Sequence, residues 1–180
     1  MYIRNIVKGA AIALSMAAFS SFAPAALAQG LQPPDSDALT AGYQLIQFDL
    51  MECQAIAPKQ SANGQGLVNS NILKLSAKLC GAAGEYKPKL EKIAKENDFE
   101  LPNKLPFYLT ARYTALIRNQ GSDLGSRYLQ DQISSHEDAL AVFQLEAETG
   151  KNAQVKAAAA EVIPTVQANL ALLKAELAKH

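Results

Sequence analysis

Apolar residues recur at alternating steps of three and four along most of this chain, the period of helices that each bury one stripe. Leu39, Tyr43, Ile46, Leu50, Cys53 and Ala57 define the first stripe. Asp35 or Ser36 is placed to cap its start, and Pro58 to end it, because proline lacks the amide hydrogen that the ladder needs. Residues 61–66, Ser-Ala-Asn-Gly-Gln-Gly, read as a loop. A second stripe runs through Val68, Ile72, Leu75, Leu79, Ala82, Tyr86, Leu90 and Ile93. Gly81, Gly84 and Pro88 predict a bend or break within it. Lys87, Lys89, Glu91, Lys92, Lys95 and Glu96 form its solvated face.

Residues 101–106 read as a turn or short extended connection, and a shorter helix over 107–119 presents Leu109, Tyr113, Leu116 and Ile117. The next helix, capped by Ser122 or Asp123, carries Leu129, Ile133, His136, Leu140, Phe143 and Ala147, with Gly150 as a left-handed stop. Asn152 caps the last, whose inner stripe is Val155, Ala159, Val162, Val166, Asn169, Leu173 and Leu177; Pro164 should kink it. Strand patterns are almost absent. The expected fold is all-α: an up-and-down antiparallel four-helix bundle of ferritin-like type, with an extra short helix between the second and third long helices.

The first 28 residues follow different rules. Arg4 and Lys8 give a positive start, 9–22 is an apolar run, and Ala26-Leu27-Ala28 offers the small-x-small pattern of signal-peptidase cleavage at Ala26 and Ala28. The apolar run falls short of the roughly 20 residues a spanning helix needs. The expectation is a signal peptide over 1–28 and one domain over 29–180, periplasmic or secreted and without an integral membrane span. Arg4 and Lys8 leave with the signal, so 15 basic face 17 acidic residues. That near-balance argues against nucleic acid as a partner.

Two cysteines remain, Cys53 and Cys80. In an oxidising compartment an even count points to a disulfide, worth about 3–4 kcal/mol by the loop-entropy estimate. The competing reading is two thiols packed as small hydrophobes.

Residues 128–143, Tyr-Leu-Gln-Asp-Gln-Ile-Ser-Ser-His-Glu-Asp-Ala-Leu-Ala-Val-Phe, together with Glu146-Ala147, Gly150-Lys151-Asn152 and Ile163-Pro164-Thr165-Val166, resemble the bacterial envelope family called domain of unknown function 4142. Its members are often labelled predicted outer membrane proteins and are similar to ferritin-like bundles. The resemblance is strongest over 124–170. The family pattern places histidines on three helices. One falls at His136; the second would fall near Ala83, where an Asp pair is replaced by Gly81-Ala82, and the third at Asn169.

His136 lies on an apolar stripe, so it needs a buried partner; Asn169, Tyr43 and Tyr86 are candidates. The favoured reading is a polar core layer, His136 with Asn169, that fixes helix register; a metal ligand or a pH sensor are the alternatives. Asp49, Glu52 and Asp131 could join His136 around a hard cation, but they sit at stripe edges, where exposed charges are expected. Glu-x-x-His pairs, which di-iron bundles need, are absent: Ile133 precedes His136 and Leu177 precedes His180 at that spacing. Neither Gly-x-Ser-x-Gly nor a phosphate-binding glycine loop occurs. The sequence therefore points to an exported, non-catalytic bundle with no cofactor and no metal, structural, binding or stress-related. The alternative is a metal-binding or redox protein on a ferritin-like scaffold. A protein partner, or a small apolar ligand held where Gly81, Gly84, Pro88 and Pro164 open the helices, completes the expectations.

Overall fold

The computed structural model describes residues 31–59 and 67–180; the expected signal peptide and its cleavage site at Ala26 and Ala28 lie outside them. Five helices form: α1 (Asp35–Ile56), α2 (Ser70–Glu96), α3 (Phe107–Arg118), α4 (Leu124–Thr149) and α5 (Ala153–Leu177), with a 3-10 turn at Ala57–Lys59. Among the described residues there is no strand, and no helix is long and apolar enough to cross a membrane.

Local chemistry explains most boundaries. Asn152 caps α5, its side chain accepting the amides of Gln154 and Val155 at 2.9 and 3.2 Å. Pro58 falls in the 3-10 turn where α1 stops. Asp35 differs from expectation. It is the first residue of α1, and its carboxylate accepts the amides of Lys151 and Asn152 at 2.9 and 2.8 Å, tying α1 to the start of α5. Asp123 precedes α4 without a capping bond; its carboxylate takes the Asn119 amide at 3.3 Å instead. Gly150 ends α4 at φ −55°, so it is not the left-handed stop expected. Glycine is needed there because a Cβ would lie 2.1 Å from Glu146 Oε1.

α2 does not break: one helix runs through Gly81, Gly84 and Pro88. Proline costs a ladder bond, but packing on either side of it holds the turn. Tyr86 Oη donates to the Ala158 carbonyl at 2.7 Å, its ring meets Phe143 edge-on at 6.0 Å, and Leu90 is buried one turn later. Pro164 likewise lies inside a continuous α5.

α1 packs on α2 and α4, and α5 packs on α4 and α2, so α2 and α4 stand on opposite corners. Asp35 at the start of α1 meets residues 151–152. Asn97, after α2, bonds Asn152 and Gln154 at 2.8 and 2.9 Å. The end of α2 therefore shares one end of the bundle with the end of α4. The chain must cross the full length of the bundle to enter α4, and 97–123 does so, carrying α3 over the α1–α4 seam. Among the four long helices every adjacent pair is antiparallel, and the single crossover is the ferritin-like connection.

The apolar interior divides in two. One cluster gathers Leu39, Tyr43, Tyr86, Leu90, Phe143 and Val155, and the other Ile56, Ile72, Leu79, Leu124, Tyr128 and Leu173. The α5 stripe is buried as read, except that Leu177 is only partly covered. On α4 the buried arc is rotated: Tyr128, Gln132, Ser135 and Ala139 are inside, while Ile133, Leu140 and Ala147 are half-buried. Packing against α1, α3 and α5 together moves its centre. Ala57, beyond the end of α1, is exposed. At Gly42 on α1 a Cβ would lie 2.8 Å from the Phe143 ring, so Gly42→Ala should overpack this contact and lower stability by about 1–3 kcal/mol in urea melts, with helicity retained.

Candidate functional site

Between the two apolar clusters lies a layer of polar side chains. α1 supplies Asp49 and Glu52, which are one helical step from the stripe that periodicity assigns to its inner face. α4 supplies Asp131, Gln132, Ser135 and His136, and α5 supplies Asn169; all seven are buried. The expectation that Asp49, Glu52 and Asp131 are exposed charges is therefore overturned. The cause is α3, which covers the α1–α4 seam and turns both stripe edges into interior.

Asp131 is held by two arginines. Arg112 Nε reaches its Oδ1 at 3.3 Å and Arg127 Nε its Oδ2 at 3.2 Å. Arg112 also donates to the Asp131 carbonyl and lies 4.8 Å from the centre of the Phe48 ring. One side chain thus pins α3 to both α4 and α1, with an ion pair and a cation–π contact.

The remaining groups bond across α1 and α4. Ser135 Oγ donates to Asp49 Oδ1 at 2.6 Å. The Gln132 amide nitrogen donates to the same oxygen at 3.3 Å and to Glu52 Oε2 at 3.0 Å. His136 Nδ1 lies 2.9 Å from the Gln132 carbonyl; a carbonyl only accepts, so Nδ1 carries the hydrogen. Asp49 Oδ2 is 3.9 Å from the same nitrogen. Burial pushes the Asp49 carboxyl above its ordinary range, against the pull of His136, Ser135 and Gln132. Among the described residues no three His, Cys, Asp or Glu side chains converge in a metal-holding arrangement.

His136 and Asn169, read as one polar layer, are placed on facing helices, α4 and α5. Both line a cavity of about 50 Å³ with Asp49, Ala83, Tyr86 and Thr165. Each water in the liquid occupies roughly 30 Å³, so this space suits one or two waters. It is far smaller than the roughly 300–1,000 Å³ of ligand pockets. A wider groove of about 530 Å³ opens on the surface between α1 and α3, lined by Leu50, Met51, Leu105, Tyr113 and Lys87 among others.

The cysteines are not bridged: both are free thiols, Cys53 buried and Cys80 half-buried. Cys53 Sγ is turned toward the Ser76 carbonyl at 3.5 Å and the Tyr128 hydroxyl at 3.6 Å. A hydrogen bond from Cys80 draws the Cys53 thiol below its ordinary range, while the same bond and burial push Cys80 up. Ser76, a polar residue on the α2 stripe, is part of this neighbourhood, and periodicity gave no sign of it.

A further buried carboxyl stands apart, at the α4–α5 turn. Glu146 is 1 % exposed, and neither of its oxygens has a donor. Burial first, then a hydrogen bond to Asp35, pushes it up to about 7.

The family is decided by the length of the match. The domain of unknown function described as DUF4142 matches residues 22–175. This chain belongs to that family. A DUF305 fragment from Deinococcus radiodurans has a similar structure, with a TM-score of 0.71 at 11% identity, covering 84% of this chain and 99% of that one. At that identity the likeness shows the fold alone. Among curated proteins none matches. The positions where the DUF4142 resemblance places histidines, near Ala83 and at His136 and Asn169, all face the same 50 Å³ cavity. Of the three positions only His136 carries an imidazole in this chain.

The sign of the Glu146 effect follows from its direction. A carboxyl raised from 4.5 to about 7 takes up a proton on folding within that window, so stability is full below it and lost as pH rises through 7. Urea melts should show that loss, and Glu146→Gln should flatten the part of the profile that lies below about 7.

Proposed function

We propose that this DUF4142 member is exported to the periplasm, or secreted, and acts there as a non-catalytic helical bundle with a structural, binding or stress-related role. The observation that carries the reading is the state of the interior polar groups. Ser135 and Gln132 spend their hydrogens on Asp49 and Glu52, and His136 spends its Nδ1 hydrogen on a main-chain carbonyl. Two apolar clusters close the layer on either side. The serine beside His136 is buried and bonded to a carboxylate, so it is not poised as a nucleophile with an imidazole base. The export reading is supported by Arg4, Lys8, the apolar run and Ala26-Leu27-Ala28.

A bridge between Cys53 and Cys80 goes with that address. The thiols meet across the α1–α2 seam, and oxidation would require Cys53 Sγ to turn from Ser76 and Tyr128 toward Cys80.

The test is analysis of protein recovered from a periplasmic fraction without an affinity tag or reductant. The expected result is an N-terminus at Gln29, no stoichiometric metal, and thiols blocked to alkylation. Stoichiometric iron, zinc or copper that His136→Ala removes would overturn the reading in favour of a metal-binding or redox protein on this scaffold. Two reactive thiols in the purified protein would remove the bridge but not the bundle.

A further inference from the structure

We propose that the α1–α4 seam is a proton-binding site, in which Glu52 is a neutral carboxylic acid that donates from Oε1 to the Gln132 side-chain carbonyl. Hydrogens are in short supply in this seam. Gln132 has two amide hydrogens, and it directs that nitrogen at Glu52 Oε2 and Asp49 Oδ1. Two oxygens are then left over in the same pair of groups. Glu52 Oε1 and Gln132 Oε1 are both fully buried, and no donor reaches either.

With Glu52 ionised, both leftover oxygens are buried acceptors with no protein donor, which is the arrangement buried polar groups avoid. Turning the amide over does not help. It would aim the amide oxygen at Glu52 Oε2 and Asp49 Oδ1, trading two good bonds for two repulsive contacts. A single proton on Glu52 Oε1 changes the count. That oxygen becomes a donor, Gln132 Oε1 becomes its acceptor, and acid and amide close a ring of two hydrogen bonds.

The titratable and charged groups around Glu52 come from four helices. They are Asp49 and Cys53 on α1, Cys80 on α2, Arg112 on α3, and Tyr128, Asp131 and His136 on α4; α5 brings the neutral Asn169. Burial foremost, with repulsion from Asp131 and Asp49, pushes Glu52 up to about 9, while Gln132 and Arg112 pull the other way. The neutral form is thus the resting form at neutral pH. No cavity is lined by both Glu52 and Gln132 among those that open near the layer, and a proton is the one cation that needs none.

The proposal predicts a linkage that Glu52 adds to those of Asp49 and Glu146, which are raised as well. A carboxyl raised from 4.5 to about 9 stabilises the fold fully below that window, and the contribution is lost as pH climbs through 9. Glu52→Gln keeps the shape and the ring, with an amide hydrogen in place of the acid hydrogen, and removes the titration.

Two measurements on the purified protein test it. Difference infrared spectroscopy at neutral pH, wild type minus Glu52→Gln, should show the C=O stretch of a protonated carboxyl, and that band should titrate away near 9. Between about pH 7.5 and about pH 9 the unfolding constant of the wild type should rise up to about tenfold per pH unit more steeply than that of the variant. Should the variant not fold, proton uptake by the wild type on refolding near pH 8, read with an indicator dye, takes its place; about one proton is expected. Absence of the band at neutral pH, equal slopes in the two proteins, or no uptake would overturn the proposal. So would a band that emerges only after chelation, since the two oxygens would then hold a metal ion.

Discussion

Everything in this bundle turns on placing a polar layer at the middle of a four-helix interior and satisfying it there. A buried hydrogen-bonding group left without a partner costs about 1–3 kcal/mol, comparable to the contribution of a well-packed apolar side chain. Asp49, Glu52, Gln132, Ser135 and His136 therefore have to be matched in register across α1 and α4. A slide of one turn would leave Asp49 against Ala139, or Ser135 against Leu45, instead. The apolar clusters on either side tolerate repacking, but the layer does not, so it sets the alignment the clusters then fill.

The crossover makes this layer possible. In a bundle with only short connections, the α1–α4 seam would face water, and Asp49, Glu52 and Asp131 would be ordinary surface charges. Because α2 ends at the opposite end from where α4 begins, 97–123 has to travel the length of the molecule, and α3 lies over that seam. Arg112 then serves as its clasp, bonded to Asp131 and stacked on Phe48. Topology, burial and electrostatics are here one event: the helix that solves a connectivity problem also covers the seam where Asp131 meets Arg112.

That is why the fold was legible in the sequence and the site only in part. α5 packs on its neighbours along a single stripe, so the period of Val155 to Leu173 maps directly onto burial. Asn152 acts within three residues of itself and is readable for the same reason. The misread features all depend on distant chain. Asp35 was read as a local cap, yet its carboxylate serves the start of a helix more than a hundred residues away. Gly150 was read from its backbone freedom, when its constraint is the Glu146 carboxyl in the space a Cβ would take. The buried carboxylates fell at stripe edges, and no single-helix pattern reveals that a fifth helix covers the edge.

The cavity bears on how the family relates to this member. Ala83, His136 and Asn169 come from three helices, yet face one space of about 50 Å³. Three imidazoles in that volume would leave little of it empty and would concentrate nitrogen donors beside Asp49. Alanine and asparagine in two of those places open the space and leave a single imidazole, whose Nδ1 is already committed to its own helix. The remaining interior charge sits one step away, in the Asp49–Gln132–Glu52 chain, where an amide divides its hydrogens between two carboxyls. In this chain the layer therefore has its imidazole at the cavity and Glu52 at the α1–α4 seam. Burial in that seam holds the Glu52 carboxyl well above its ordinary range.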